Sequence, residues 1–286
     1  MVSDTSGTHD GSTFGLGGDL PVQRLGFGAM RLSGRGIWGE PADHGEAVAV
    51  LRRAVDLGVD LIDTADSYGP FVSERLIAEA LHPYPSNLVI ATKGGLLRDG
   101  PGQWRADGRP QHLRAACDES LQRLKLEQIP LYQFHSPDPR VPFDDSIGML
   151  ATLKDEGKIR HIGVSNVNED QLEQALAITP VVSVQNRYGI GTRDSESLLD
   201  RCEQEELAFL PWAPLDRGDA ARNSVVARIA HAHDATPRQI ALAWLLARSP
   251  VMLPIPGTAS VAHLEENMAA RSITLTWEEI AELNDA

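Results

Sequence analysis

Short apolar segments alternate with amphipathic helical patterns along most of this chain of 286 residues. Strands that alternate with helices form parallel βαβ units, and eight such units in succession are typical of a closed barrel. The predicted strands are Gly26–Met30, Leu61–Asp63, Leu88–Thr92, Ile129–Phe134, Ile159–Val164, Val181–Gln185, Ala208–Pro211 and Val251–Ile255. The sequence therefore predicts the α/β class and a (β/α)8 TIM barrel.

The helical segments have an apolar face and recognisable end signals. In the first, apolar residues between Ala47 and Val55 recur on one face, and Gly58 supplies the C-terminal stop. The other predicted helices within the repeat are Ser73–Leu81, Pro110–Leu124, Phe143–Glu156, Glu169–Ile178, Glu196–Glu205, Pro237–Ala247 and Val261–Ala270.

Two further elements flank the repeat. A Gly17-Gly18-Asp19 turn between two short apolar segments predicts an N-terminal β-hairpin that plugs one end of the barrel. A C-terminal extra helix is predicted at Trp277–Asn284, with Thr276 and Glu279 forming a capping box. Because no linker interrupts the pattern, we expect a disordered tail over residues 1–11 and a single barrel domain over residues 12–286.

Two predicted strand-to-helix loops are unusually long, Arg31–Asp43 and Leu96–Arg109. Loops of this kind shape substrate pockets in barrels, although the sequence does not predict their conformation. Each contains one tryptophan, and we expect Trp38 and Trp104 to line the substrate pocket.

Composition narrows the choice of partner and compartment. A net charge of -14 disfavours binding to nucleic acid or to an anionic membrane, because both require a basic surface. No apolar run is long enough to span a bilayer, and the first residues lack the pattern of a secretory signal. We expect a cytoplasmic protein with a small-molecule substrate, a monomer or weak homo-oligomer, in which Cys117 and Cys202 are reduced packing residues.

Three successive predicted strands end in residues that carry chemistry. These are Asp63, Lys93 and His135, and Tyr68 follows Asp63 in a loop beside Gly69. The ends of barrel strands meet at one face, so the four side chains are expected to form one network. Lys93 would lower the pKa of Tyr68, Asp63 would orient Lys93, and His135 would bind the carbonyl oxygen that Tyr68 protonates. This chemistry requires no metal.

Each of these residues also has an ordinary structural explanation. Asp63 could cap a turn, Tyr68 could line a surface pocket, and His135 could be a hydrogen-bonded residue of the core or rim. Lys93 is harder to explain in this way, because a buried lysine is costly unless it is paired. The occurrence of all four at strand ends favours the catalytic interpretation.

The later strands offer a binding site for a hydride donor. Ser165, Asn166 and Gln185 have neutral side chains suited to a carboxamide, and Trp212 could stack on an aromatic ring. Asn166 could instead cap a turn, and Trp212 could pack at the barrel rim. The segment Gly257–Ser260 precedes a helix, where backbone N–H groups and hydroxyls bind phosphate.

Taken together, these motifs closely resemble the aldo-keto reductase family from about Leu25 to Met268. The resemblance implies that Asp63, Tyr68, Lys93 and His135 are the catalytic tetrad. It also implies a cofactor site for the nicotinamide, phosphates and adenine of NADPH, formed by Ser165, Asn166, Gln185, Trp212, Leu215, Gly257, Thr258, Ser260, His263, Glu266 and Asn267. Many members have basic residues where this chain has Gly257 and His263, so use of NADH is also open.

The predicted function is reduction of an aldehyde or ketone to an alcohol by NAD(P)H. The segments Gly34–Gly39 and Gly257–Leu264 also look like the bacterial branch that includes pyridoxal reductases. One alternative is an NADPH-binding redox sensor with little turnover. Another is a lyase in which Lys93 forms a Schiff base, although Asp63 would oppose this by keeping Lys93 charged.

Overall fold

The computed structural model describes residues 12–214 and 223–286, within which seven parallel strands form one curved sheet. Strands that are adjacent in the sheet follow one another along the chain, except that a hairpin lies between strands Val89–Gly94 and Ile129–Phe134 in the sequence. The strands are β3 (Phe27–Gly28), β4 (Leu61–Asp63), β5 (Val89–Gly94), β8 (Ile129–Phe134), β9 (Ile159–Ser165), β10 (Val181–Gln185) and β11 (Ala208–Phe209).

The eighth predicted strand, Val251–Ile255, is an extended segment rather than a regular strand. It exchanges backbone hydrogen bonds with Phe209 on one side, and Gly26 N–H donates to Pro254 O at 2.9 Å on the other. Pro254 and Pro256 have no N–H to donate, which prevents a continuous ladder. The segment nevertheless joins β11 to β3, so the predicted (β/α)8 barrel is confirmed.

Helices surround the sheet, and most of the predicted ones have their expected bounds. Helix α7 was not predicted, and the predicted strand Gly26–Met30 is shorter because Ala29–Leu32 forms a 3-10 helix. The helices are α1 (His44–Asp56), α2 (Val72–Leu81), α3 (Pro110–Leu124), α4 (Phe143–Asp155), α5 (Glu169–Ile178), α6 (Glu196–Gln204), α7 (Ser224–Ala232), α8 (Pro237–Arg248), α9 (Val261–Ala269) and α10 (Trp277–Asn284). Helix α10 has the predicted capping box.

The predicted N-terminal hairpin is present as β1 (Thr13–Leu16) and β2 (Leu20–Gln23). Leu16 and Val22 are fully buried and pack with Leu61, Leu131 and Leu253 inside the barrel. This inner cluster is separate from a larger one between the sheet and the helices. The hairpin therefore closes one end of the barrel. The predicted disordered tail, residues 1–11, lies outside the described residues.

One of the two long loops contains a second hairpin, formed by β6 (Leu96–Gly100) and β7 (Gln103–Ala106). The other loop runs from the 3-10 helix to α1, and Gly102 N–H donates to Gly36 O at 3.1 Å, which joins the two loops. Both loops follow the carboxyl ends of their strands, so they cover the face of the barrel opposite the N-terminal hairpin.

Candidate active site

The four residues of the predicted tetrad lie together at the carboxyl ends of neighbouring strands. Asp63 ends β4, Lys93 lies near the end of β5 and His135 follows β8. Tyr68 lies in the turn after β4, which Gly69 allows by adopting a positive φ of 98°. All four side chains are buried.

The ammonium group of Lys93 contacts Asp63, the backbone of Thr64 and Tyr68. Its Nζ lies 2.6 Å from Asp63 Oδ2, 2.8 Å from the carbonyl oxygen of Thr64 and 3.4 Å from Tyr68 Oη. These contacts account for the three donors of an ammonium group. The contacts hold the ammonium group beside the phenol and use all of its hydrogen-bond donors.

Burial and the nearby charges shift the pKa of both groups. Burial lowers the pKa of Lys93, but the charges and hydrogen bonds of Asp63 and Tyr68 outweigh burial, so its pKa stands above the usual value. Burial raises the pKa of Tyr68, and the charge of Lys93 only partly opposes this. Lys93 acts on the pKa of Tyr68 in the predicted direction, and desolvation is the larger, opposing effect.

His135 completes the group on the far side of the phenol. Its ring meets the Tyr68 ring edge-on, with centroids 5.8 Å apart, and its Nδ1 lies 3.4 Å from Ser67 Oγ. Burial, and then the charge of Lys93, lower the pKa of His135 well below its usual value. The imidazole is therefore neutral at neutral pH and can donate one N–H.

Two glutamines fix the carboxylate of Asp63. Gln133 Nε2 donates to Asp63 Oδ1 at 3.0 Å, and Gln185 Nε2 donates to the same oxygen at 2.8 Å. Gln133 was not predicted as a site residue, although a polar residue inside the apolar strand β8 was a usable signal. Gln185 was predicted to hold a carboxamide, but its own amide nitrogen is engaged by Asp63, which leaves its oxygen as the group that could accept a hydrogen bond.

The other predicted carboxamide ligands form a chain of hydrogen bonds. Ser165 Oγ donates to Gln185 O at 2.7 Å, and Asn166 Nδ2 donates to His135 O at 2.9 Å. Trp212 Nε1 donates to Asn166 Oδ1 at 3.0 Å. Both polar atoms of the Asn166 amide have protein partners. Its φ of 58° shows that Asn166 also has the turn conformation that was the alternative to ligand binding.

A cavity of about 500 Å³ extends from the tetrad along the barrel rim. Predicted residues on its wall are Asp63, Tyr68, Trp104, His135, Ser165, Asn166, Gln185, Trp212, Gly257, Thr258, His263 and Asn267. Four other predicted residues are described by the structure but do not line it, namely Lys93, Trp38, Ser260 and Glu266. Leu215 lies outside the described residues.

Glu266 connects helices α8 and α9. Its Oε1 accepts from Thr236 Oγ1 at 2.7 Å, and its carbonyl oxygen accepts from Gln239 Nε2 at 2.9 Å. Thr236 and Gln239 form the capping box of α8, so these bonds tie the start of α8 to α9. The first turn of α8 consequently lies beside the cavity, where Arg238 joins the wall.

Arg31 and Arg238 are the site residues that sequence reasoning missed most clearly. Both line the cavity and both are exposed. Within residues 12–214 and 223–286, neither has a carboxylate within ion-pair distance. No spacing pattern links them to the tetrad, since they come from the first strand-end segment and from α8.

The glycine at position 257 is required by packing between the first and last barrel segments. A Cβ at Gly257 would lie 2.6 Å from Gly28 O and 3.5 Å from Arg31 Cγ. A long basic side chain therefore cannot be accommodated at position 257 without moving the backbone of β3. Arg31 occupies the adjacent space and supplies a positive charge there.

Other reactive groups in the described parts of the chain have no arrangement suited to chemistry. Cys117 and Cys202 are free and buried, and burial raises the pKa of each thiol to about 12. Across residues 12–214 and 223–286, no cluster of three or more His, Cys, Asp or Glu side chains is placed to hold a metal ion. None of the helices in the same ranges is long and apolar enough to span a membrane.

Comparisons with a family profile, with related sequences and with solved structures agree with one another. The profile described as "Aldo/keto reductase family" matches residues 24–286. An uncharacterized oxidoreductase of Schizosaccharomyces pombe is 49% identical over 269 residues, covering 94% of this chain and 88% of that protein. Pyridoxine 4-dehydrogenase of Escherichia coli is 40% identical over 280 residues, covering 96% and 97%. An aldo-keto reductase of Klebsiella pneumoniae, solved with NADPH, aligns with a TM-score of 0.81 at 29% identity, covering 96% of this chain and 94% of that one.

Proposed function

This chain belongs to the aldo/keto reductase family, and from that premise we propose that it reduces an aldehyde or ketone with NADPH, taking the proton from Tyr68. The observation that carries the proposal is the placement of Tyr68 Oη 3.4 Å from Lys93 Nζ on the wall of a cavity. A phenol held beside a buried ammonium is suited to protonate a carbonyl oxygen, because the phenolate left behind is stabilised by the adjacent charge.

The proton step follows from the protonation states of the site. Burial keeps the pKa of Tyr68 high, so the phenol is protonated at neutral pH and ready to donate from Oη. His135 is neutral, and with its Nδ1 facing Ser67 its Nε2 is free to hydrogen-bond the same carbonyl oxygen. As the oxygen gains negative charge, both donors strengthen their bonds to it, which stabilises the transition state more than the ground state.

The cavity has the donors and acceptors that a nicotinamide requires at its inner end. Ser165 Oγ donates its hydrogen to Gln185 O and accepts from Asn166 Nδ2 at 3.0 Å, which leaves one lone pair for an incoming amide N–H. Trp212 is half-buried on the same wall and offers an aromatic surface. When bound, the reduced nicotinamide supplies the hydride, while the protein supplies orientation and the proton.

The outer part of the cavity suits the phosphates of the same cofactor. Arg31 and Arg238 carry positive charges that the described carboxylates leave unpaired. Arg238 lies on the wall with His263 and Asn267, where the resemblance places the adenosine end. We therefore assign Arg238 to the extra phosphate that distinguishes NADPH from NADH, in place of the basic residue that position 257 cannot hold.

Pyridoxal is the substrate that we propose first. The cavity wall includes Trp104, Leu96, Ile37 and Met30, which present flat and apolar surface to a planar ring. The 40% identity to pyridoxine 4-dehydrogenase, over nearly the full length of both chains, supports the same assignment. Reduction of pyridoxal would place its aldehyde oxygen between Tyr68 Oη and His135.

The lyase alternative is disfavoured by the charge of Lys93. Schiff-base formation needs a neutral amine, whereas Asp63 and Tyr68 raise the pKa of Lys93. The sensor alternative predicts the same cofactor site without turnover, so it is distinguished by activity.

The test is to follow nicotinamide absorbance for NADPH and NADH against pyridoxal, benzaldehyde and glyceraldehyde. Cofactor binding is measured in parallel by quenching of protein fluorescence. Turnover with NADPH, fastest with pyridoxal, is the expected result. Tight NADPH binding without turnover of any aldehyde would favour the sensor. Mass added at Lys93 after borohydride treatment with pyridoxal would favour the lyase.

A further inference from the structure

Arg98 on β6 is a largely buried cation whose partners are carbonyl oxygens rather than carboxylates. The residue is only 9% exposed. Its Nη1 donates to Ile37 O at 2.5 Å and to Ser67 O at 3.4 Å. Its Nη2 donates to Gly36 O at 2.7 Å and to Gly100 O at 3.2 Å, and its Nε donates to Gln103 O at 3.1 Å. The rigid fork of a guanidinium can serve all five acceptors at once, which a lysine cannot do.

These five carbonyls belong to three separate segments at the mouth of the cavity. Gly36 and Ile37 lie in the loop after the first strand, and Ser67 immediately precedes Tyr68. Gly100 and Gln103 belong to the β6–β7 hairpin. Arg98 therefore connects the two long loops to the turn that carries the proposed proton donor.

The backbone at Ile37 is held in a conformation that it would not adopt by itself. Its φ is 57°, in the left-handed region, where a β-branched side chain is sterically strained. Such strain persists only where the surroundings impose it, and it is concentrated at functional sites. Here the carbonyl of Ile37 makes the shortest of the Arg98 bonds, and its side chain lines the cavity.

Two tryptophans flank the same guanidinium. The Arg98 Cζ lies 3.7 Å from the ring centroid of Trp104 and 5.9 Å from that of Trp38. Trp104 is 39% exposed, lines the cavity and meets the Tyr68 ring edge-on at 6.4 Å. Stacking on Arg98 fixes one face of the indole. Trp38, which was predicted for the pocket, lies beside the same guanidinium but does not line the cavity.

We propose that Arg98 is a positioning residue that holds Ile37 and Trp104 in the wall of the substrate pocket and thereby sets its preference for planar aromatic aldehydes. This rests on the proposed reductase function. Arg98 touches neither the tetrad side chains nor the far end of the cavity, so it acts on substrate binding rather than on proton transfer or cofactor affinity.

The variant to test is Arg98→Lys, which keeps the charge but loses the fork. Its matched control is Arg105→Lys in the same hairpin, where the arginine forms only an exposed ion pair with Asp99. We expect Arg98→Lys to raise KM for benzaldehyde and pyridoxal about tenfold, with kcat changed by less than about twofold. KM for glyceraldehyde and the Kd for NADPH should stay within about twofold of wild type.

Amide hydrogen exchange gives a second readout that needs no turnover. Gly39 N–H donates to Gly69 O and Gly102 N–H donates to Gly36 O, and both bonds close the loops that Arg98 connects. We expect both amides to exchange faster in Arg98→Lys and to be unchanged in Arg105→Lys. A further substitution, Ile37→Gly, removes the strain and should reduce the acceleration at Gly39 in the Arg98→Lys background.

Equal KM values and equal exchange in the two lysine variants would overturn the proposal. A fall in kcat of the same size for all three aldehydes would also overturn it, because Arg98 would then act through Tyr68. Absence of turnover in the wild type would instead refute the reductase function. In that case unchanged exchange in Arg98→Lys would overturn the positioning role separately.

Discussion

Lys93 Nζ lies 3.4 Å from Tyr68 Oη, and both side chains are buried. The same nitrogen lies 2.6 Å from Asp63 Oδ2, and this carboxylate helps to keep the lysine charged beside the phenol. This arrangement keeps Lys93 charged and Tyr68 protonated at neutral pH. It suits a group that donates a proton in carbonyl reduction and recovers it after each turnover.

Removing the ammonium separates its catalytic and structural effects. Lys93→Met leaves Asp63 buried without its cation, so we expect a loss of roughly 3–5 kcal/mol in the free energy of unfolding, measured with urea. The double variant Asp63→Asn/Lys93→Met removes both charges, and Asn can still accept from Gln133 and Gln185. We expect it to regain most of the stability, while kcat stays at least about 100-fold below wild type in both variants. Recovery of kcat in the double variant would contradict the role of Lys93.

The pH dependence of reduction follows from the directions of the shifts. Tyr68 must be protonated to act as the acid, and its pKa lies above the usual value of 10.0, so activity is lost only at strongly alkaline pH. His135 has a pKa well below 6.5 and does not change charge near neutrality. We expect kcat/KM for a substrate without ionisable groups, such as benzaldehyde, to be flat from about pH 6 to about pH 9. An inflection near pH 6.5 that disappears in His135→Gln would show that His135 titrates normally.

Alternation of strands and helices was sufficient to predict the barrel, because both signals are local. The tetrad was predictable for the same reason, since Asp63, Lys93 and His135 each end an apolar strand. The eighth strand was predicted as regular and is instead an extended segment, although Pro254 and Pro256 were visible in the sequence. Their missing N–H groups leave closure to a few bonds with β3 and β11.

Features that depend on loop conformation or on distant segments could not be predicted. Arg238 lines the cavity from the first turn of α8, which Glu266 ties to α9, and no local pattern indicates this contact. Arg98 acquires its partners from three segments, and nothing in its local sequence indicates them. The opposing effect of desolvation on the pKa of Tyr68 was not predicted, because burial, unlike the presence of Lys93, cannot be read from residue types.

Asp66 offers a stability test that does not depend on catalysis. It is fully buried, its Oδ1 has no hydrogen-bond partner among the described residues, and burial raises its pKa well above the usual value. A carboxyl group with a raised pKa costs stability above its unfolded pKa of about 3.9 and costs nothing below it. We therefore expect Asp66→Asn to stabilise the protein at pH 7.5 by on the order of 1 kcal/mol and to have little effect near pH 4. Equal destabilisation at both pH values in thermal unfolding would contradict this.

Cofactor choice tests the assignment of Arg238. We expect Arg238→Ala to weaken NADPH binding about tenfold, because a charge-assisted bond to phosphate contributes on the order of 1–3 kcal/mol. NADH binding should change by less than about twofold, since NADH lacks the extra phosphate. The control is Arg228→Ala, which removes an exposed arginine paired with Glu282. Calorimetric Kd values that rise equally for both cofactors would refute the assignment.

The most direct measurement is the single-turnover rate of NADPH oxidation with saturating pyridoxal in wild type and Tyr68→Phe. Phenylalanine keeps the ring that contacts Trp104 and His135 but has no proton to donate. We predict that the rate falls by about 10²–10⁴ while the Kd for NADPH is unchanged. A rate within a few fold of wild type, with NADPH bound normally, would contradict the assignment of Tyr68 as the proton donor.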